Sequence, residues 1–168
     1  HILDWMAHTL QRPGVKINHC IVMCGGFGQG KDTLWQPIIQ ALGPAAKQEE
    51  AGAMMRDFNE HLVRCKLFII QEADIGNHKD ASRIANKLKP LLAAPPETIS
   101  IYPKGKPAFD IRNLVHIVMF SNEYHPAYIK TGDRRYFVVR SDLRTTNADG
   151  VQTAEFSAYF SGLYDWLE

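Results

Sequence analysis

Gly25-Gly26-Phe27-Gly28-Gln29-Gly30-Lys31-Asp32-Thr33 fits the spacing G-x-x-x-x-G-K. An apolar, β-branched run from Ile17 to Cys24 precedes it, and helix-compatible sequence from Lys31 through Leu34 to Leu42 follows it. Glycines let successive main-chain N–H groups turn inward onto an anion, and the start of a helix adds positive potential. Between a strand and a helix, the segment Gly25 to Leu34 is expected to cradle a triphosphate, with Lys31 reaching its β and γ groups. Asp32 stands where a serine or threonine hydroxyl normally ligates Mg²⁺, and Thr33 comes one place later. A carboxylate beside phosphates is costly unless a cation lies between them. Either Thr33 supplies the hydroxyl, or Asp32 acts through metal-bound water, or Asp32 is only an acidic residue in the first turn of a helix.

Three further groups carry chemistry. Leu67-Phe68-Ile69-Ile70 is an apolar run that delivers Gln71 and Glu72 at its carboxyl end. A glutamate there can polarise the water that attacks a γ-phosphate, because phosphoryl transfer depends on positioning and charge. Gln71 stands where an aspartate would hold the magnesium shell, so Gln71 and Glu72 join Asp32 and Thr33 as candidate metal-shell residues. Val118-Met119-Phe120-Ser121 ends at Asn122, whose amide is placed to hold attacking water, or simply to close a strand. Gly132-Asp133-Arg134-Arg135 offers paired guanidiniums suited to charge on a transferring phosphoryl group, or a surface ion pair of Asp133 with either arginine.

These residues need elements to hold them. Leu3, Met6 and Leu10 recur at helical spacing before Arg12-Pro13-Gly14, which predicts an opening helix within residues 1–14. The strand–glycine loop–helix unit follows, with Pro37 expected to kink or break the helix from Lys31 to Leu42. Ala51 to Arg64 reads as helical. Leu67 to Ile70 reads as a strand covered on both faces. Lys79 to Leu92 reads as a helix with Ile84, Leu88, Leu91 and Leu92 on one stripe, ended by Ala94-Pro95-Pro96. Ile99, Ile101, Phe109 and Ile111 flank the basic turn Tyr102 to Pro107, which predicts a β-hairpin. Val115 to Phe120 and Tyr136 to Arg140 are further strands, and Phe156 to Leu167 a closing helix. Strands alternating with helices predict an α/β fold with a largely parallel sheet and ligands beyond the carboxyl ends of its strands.

Composition sets the outer limits. The chain has 168 residues, 45% hydrophobic and 22% charged, and a formal net charge of +1. One domain of ordinary globular character is expected, and a polyanion must be held locally rather than by bulk charge. No apolar run approaches the roughly 20 residues of a membrane span. Cys20, Cys24 and Cys65 lack C-x-x-C spacing and read as reduced, buried thiols. Together with His1 at the start and no signal segment, they suggest a cytoplasmic domain cut from a longer protein.

In order and spacing, the loop Gly25–Thr33, the strand end Gln71-Glu72, the helix with Leu88-Lys89, the turn Lys104-Gly105-Lys106, the strand end Ser121-Asn122 and the triplet Asp133-Arg134-Arg135 resemble superfamily 3 helicases. The likeness is to the AAA+ module of phage, plasmid and poxvirus primase-helicases. It implies a P-loop NTPase over residues 15–168, three-layered with a mostly parallel sheet and a DNA-binding β-hairpin insertion. It also implies ATP and Mg²⁺ as cofactors, and a hexameric ring around single-stranded DNA, with other replication proteins as further partners. Lys31 would bind phosphates, Glu72 activate water, Asn122 sense the γ-phosphate, and Arg134 or Arg135 reach into the neighbour's site. Lys104 and Lys106 match the tip of the family's channel hairpin. On the residues alone, those lysines fit a solvated turn equally well, and Tyr102 and Phe109 fit either base stacking or a core. The rival readings are a P-loop nucleotide kinase, with Arg134 and Arg135 as lid arginines, and a nucleotide-gated AAA+ scaffold that hydrolyses weakly.

Overall fold

Alternation along an apolar strand decides which side of a sheet each residue packs on. In a computed structural model of the chain, which describes residues 1–73, 78–93, 97–123, 129, 132–142, 145–146 and 151–167, both sides are filled. Ile21, Met23, Leu67, Ile69, Val118 and Phe120 face Trp5, Trp35 and Ile38. Val22, Cys24, Phe68, Ile70, Ile117 and Met119 face Ile84, Leu88, Leu91 and Leu92. The four-residue stripe expected on the third helix is therefore its buried face.

The elements run α1 (Ile2–Gln11), β1 (Cys20–Cys24), α2 (Gln36–Leu42), β2 (Ala46–Glu50), β3 (Leu67–Gln71), α3 (His78–Leu92), β4 (Thr98–Ile101), β5 (Phe109–Arg112), β6 (His116–Ser121), β7 (Tyr136–Arg140) and α4 (Ala154–Leu167). Five strands form one sheet in the order β2-β3-β6-β1-β7, and every neighbouring pair in it is parallel. β4 and β5 form the antiparallel hairpin, Ile99 opposite Ile111. The fold is α/β with α1 and α2 on one face of the sheet and α3 on the other. Among the described residues no helix is long and apolar enough to cross a membrane, and all three cysteines are free and buried.

Four expectations change. The helix expected from Lys31 opens instead as a 3₁₀ turn, Thr33–Trp35, and becomes α-helical only at Gln36. Pro37 has no N–H to give the Thr33 carbonyl, which is taken instead by Gln36 N–H. The expected interruption at Pro37 therefore takes the form of a break: Pro37 sits in the first turn of α2, where a donor is not needed. Ala51 to Arg64 is not a helix but two 3₁₀ segments, Ala51–Met55 and Glu60–Leu62. Between them Asn59 leaves the helical path to bind the hairpin, donating to Ser100 O at 2.9 Å and accepting from Tyr102 N–H at 2.7 Å. β2 was hidden because Ala46-Lys47-Gln48-Glu49-Glu50 has no apolar alternation. It is an edge strand, and its ladder to β3 rather than its side chains makes it extended. β1 starts at Cys20 rather than Ile17, because Ile17 N–H is directed to His116 Nε2 at 3.1 Å. The expected stop of α3 at Ala94-Pro95-Pro96 lies outside the described residues.

That histidine opens β6 at the amino edge of the sheet and is fully buried. Thr9 Oγ1 donates to Trp5 O at 2.9 Å, so it accepts from His116 Nδ1 at 2.8 Å. Ile17 N–H and the Lys66 ammonium each lie 3.1 Å from Nε2, and Val15 O lies 3.2 Å from it. Lys66 also donates to Pro13 O and Leu114 O, at 3.0 and 3.3 Å, and Lys16 donates to Val115 O. Burial, reinforced by the charges of Lys66 and Lys16, lowers the His116 pKa to about 3. Burial lowers Lys66 to about 8, and burial together with the Lys66 charge lowers Lys16 to about 8.

Candidate functional site

At the opposite, carboxyl edge of the sheet, the glycine loop leaves β1 wedged between its two neighbours. Gly25 N–H bonds Ser121 O at 3.2 Å, and Ser141 N–H bonds Cys24 O at 3.0 Å. A β-carbon at Gly25 would displace the Gln29 side-chain amide and stand 3.2 Å from Ser141 O, so glycine keeps the loop in close contact with its surroundings here. Gly30, at φ +74°, takes the left-handed backbone that closes the loop, and a β-carbon on it would lie 3.0 Å from the Phe160 ring. Lys31 reaches back along the loop, donating to Gly25 O at 2.5 Å, to Gly26 O at 2.8 Å and to Asn122 Oδ1 at 3.1 Å. Phe27 stands at the loop's tip, 82% exposed. Beside the loop a cavity of about 360 Å³ is lined by Gly28 to Thr33 together with Gln152, Phe160 and Tyr164.

Asn122 follows β6, which lies between β1 and β3. Ile70 of β3 pairs with Met119 of β6, so Gln71 and Glu72 end at nearly the same level as Ser121 and Asn122. Ala73 N–H then bonds Phe120 O at 2.8 Å. Glu72, exposed between them, has φ +48°, a conformation that a non-glycine residue holds only when its surroundings enforce it. Gln71 turns away from the loop, its Nε2 donating to Gln48 Oε1 at 2.9 Å.

The residues fit a nucleotide better than a bare cation. The loop offers main-chain amides and a lysine, while among the described residues no three His, Cys, Asp or Glu side chains gather as metal ligands. Mg²⁺ is commonly held by one or two protein groups, water and substrate phosphates. Asp32 is exposed, Thr33 is buried with its hydroxyl 3.0 Å from that of Tyr164, and Glu72 is one strand away from Asn122.

The other candidates lie elsewhere. Arg134 and Arg135 precede β7, and Tyr136 pairs with Cys20 at the start of β1. They therefore occupy the amino edge, at the far end of the strands from their own chain's loop. Arg135 makes a bidentate pair with Asp133, at 2.6 and 2.8 Å, and this hydrogen bonding holds the Asp133 carboxyl below its usual range. Among the described residues Arg134 is exposed and has no ion-pair partner. Lys104 and Lys106 flank Gly105 at the exposed hairpin tip. Tyr102 and Phe109 beside them are 53% and 46% exposed, so they do not belong to the core.

Phe160, Tyr164 and Gln152 beside the loop went unseen in the sequence. Phe156, Tyr159, Phe160, Tyr164 and Trp166 on a closing helix are more aromatic surface than an outer helix needs, and that excess was the available signal.

No curated protein matches the chain in sequence. Its fold is shared with solved structures of the C-terminal region of NrS-1: an apo structure (305-718) at TM-score 0.77 and 19% identity, and an A form apo structure at TM-score 0.69 and 17% identity. Each likeness covers 99% of this chain and 39% of the other, so this chain spans well under half the length of those neighbours. The sequence profile of a family of unknown function, DUF5906, matches residues 23–135, from the end of β1 to the start of β7, and the chain belongs to that family.

Proposed function

We propose that this chain is the ATP-hydrolysing motor domain, of AAA+ P-loop type, of a replicative primase-helicase that translocates on single-stranded DNA within a hexameric ring. One observation carries the reading: with β6 inserted between β1 and β3, the loop lysine, Asn122 and Glu72 share one edge, and Lys31 already meets Asn122 at 3.1 Å. ATP with Mg²⁺ supplies a phosphoanhydride activated toward water. Loop amides and Lys31 bind its terminal phosphates, exchanging the neutral carbonyls of Gly25 and Gly26 for charged oxygens. Asn122, released from Lys31, orients water, and Glu72 accepts its proton. Arg134, on the far edge, stabilises transferring charge only in a neighbouring subunit's site, which also argues against its service as a kinase lid residue. Lys104 and Lys106, with Tyr102 and Phe109 beside them, suit single-stranded backbone and bases.

Gln71, bonded to Gln48, adds no carboxylate to a metal shell, and this favours the nucleotide-gated scaffold as second reading. Steady-state ATP hydrolysis with and without single-stranded DNA, alongside oligomer mass under nucleotide, decides. DNA-stimulated turnover lost in Glu72→Gln supports the motor. Nucleotide-dependent assembly with unchanged slow turnover in Glu72→Gln supports the scaffold, and phosphate transferred to a nucleoside monophosphate refutes both.

A further inference from the structure

The hydroxyl that the loop would turn toward a nucleotide is engaged by the closing helix. Thr33 is 7% exposed, so its Oγ1 needs a protein or ligand partner, and it has Tyr164 Oη at 3.0 Å. One turn earlier on α4, the Phe160 ring packs on Gly30, where a β-carbon would lie only 3.0 Å from it. Both side chains line the loop cavity with Lys31 and Asp32. The rest of α4 holds little: none of its described residues is buried, and Tyr159 and Trp166 are 63% and 71% exposed. Tyr164 itself is 50% exposed, so its hydroxyl can exchange Thr33 for solvent at little cost while α4 stays in place.

We propose that α4 is a latch on the phosphate loop, in which Tyr164 competes with the nucleotide for the Thr33 hydroxyl. The proposal rests on the nucleotide reading above. A phosphate oxygen, or a water of its magnesium shell, offers Thr33 a stronger partner than a neutral phenol does. Binding therefore proceeds through the fraction of molecules in which Tyr164 has let go, and the apparent affinity is reduced by that fraction. Phe160 stays against Gly30 as the cavity wall, so the release is at Tyr164 rather than along the whole helix.

The test is equilibrium binding of a fluorescent N-methylanthraniloyl ATP with magnesium to the wild type, Tyr164→Phe, Thr33→Val and the double variant. Removing one neutral hydrogen bond in Tyr164→Phe should tighten binding by about three- to tenfold. In the Thr33→Val background the same change should alter affinity by less than about twofold, because the competed hydroxyl is gone. Unchanged or weaker binding in Tyr164→Phe, against a wild type that binds, overturns the latch and leaves the nucleotide reading standing. A wild type that binds no nucleotide overturns both.

Discussion

The two edges of one parallel sheet carry polar clusters of opposite character. At the amino edge His116 and Lys66 are buried, and their hydrogen bonds run to Thr9, Ile17, Pro13 and Leu114 of the same chain. At the carboxyl edge Lys31 bonds loop carbonyls beside an open cavity, and Glu72 is exposed in a backbone conformation few residues adopt. A buried hydrogen-bonded network fixes how the connecting segments meet, and losing one member takes a partner from each of the others. A site must hold groups whose present partners can be exchanged. The contrast separates polar residues whose partners build the fold from those whose partners a ligand could replace, and composition alone does not distinguish them.

The sharpest way to break this contrast is to remove one lysine from each edge. Lys31→Ala should lower ATP turnover by more than about 100-fold, because the charge facing the phosphates disappears, while the urea midpoint stays near that of the wild type. Lys66→Met should leave turnover per folded molecule unchanged and shift the urea midpoint instead. Turnover and chemical denaturation measured on both variants would refute the division if the two effects coincided.

His116→Ala comes next. It leaves the Ile17 amide without its acceptor, takes one partner each from Thr9 and the Lys66 ammonium, and opens a cavity where the ring was, and a loss of about 3 kcal/mol of stability is expected, read by urea denaturation.

Acid should reproduce part of that loss. His116 titrates near 3 in the fold and near 6.5 when unfolded, so between these values the unfolded chain binds a proton that the folded chain does not. Its contribution is full above the unfolded value and disappears as pH falls through 6.5 toward 3. The urea midpoint should fall across that window, and less steeply in His116→Ala.

The smallest effect is at the hairpin. Lys104→Ala with Lys106→Ala should weaken single-stranded DNA binding about tenfold at low salt and reduce the dependence of log K on log salt by about 1.4, the share of two phosphate contacts. Basal ATP turnover should not move. Binding across a salt series measures the slope, and an unchanged slope would leave the lysines as a solvated turn.

Much of this was legible along the chain. The stripe Ile84, Leu88, Leu91 and Leu92 and the run Leu67 to Ile70 have one reading each, because burial demands the period of the element. The loop Gly25 to Lys31 was equally plain, since glycine spacing is dictated by local backbone geometry. Ala51 to Arg64 misled because Asn59 is held by Ser100 and Tyr102, more than forty positions away. Local propensity has no term for such a partner. Tyr164 was missed for the same reason: its meaning lies in Thr33, across the fold.

By itself the sequence determined the periodic elements, the glycine loop and the sign of the charge at each candidate position, all of which depend on residues within a few places of one another. Tertiary structure alone decided that β6 enters between β1 and β3, that Arg134 and Arg135 fall on the edge away from the loop, and that α4 closes on Thr33. Strand order and helix docking are settled by apolar burial between distant segments, and that energy depends on which faces meet rather than on the order in which the residues are written.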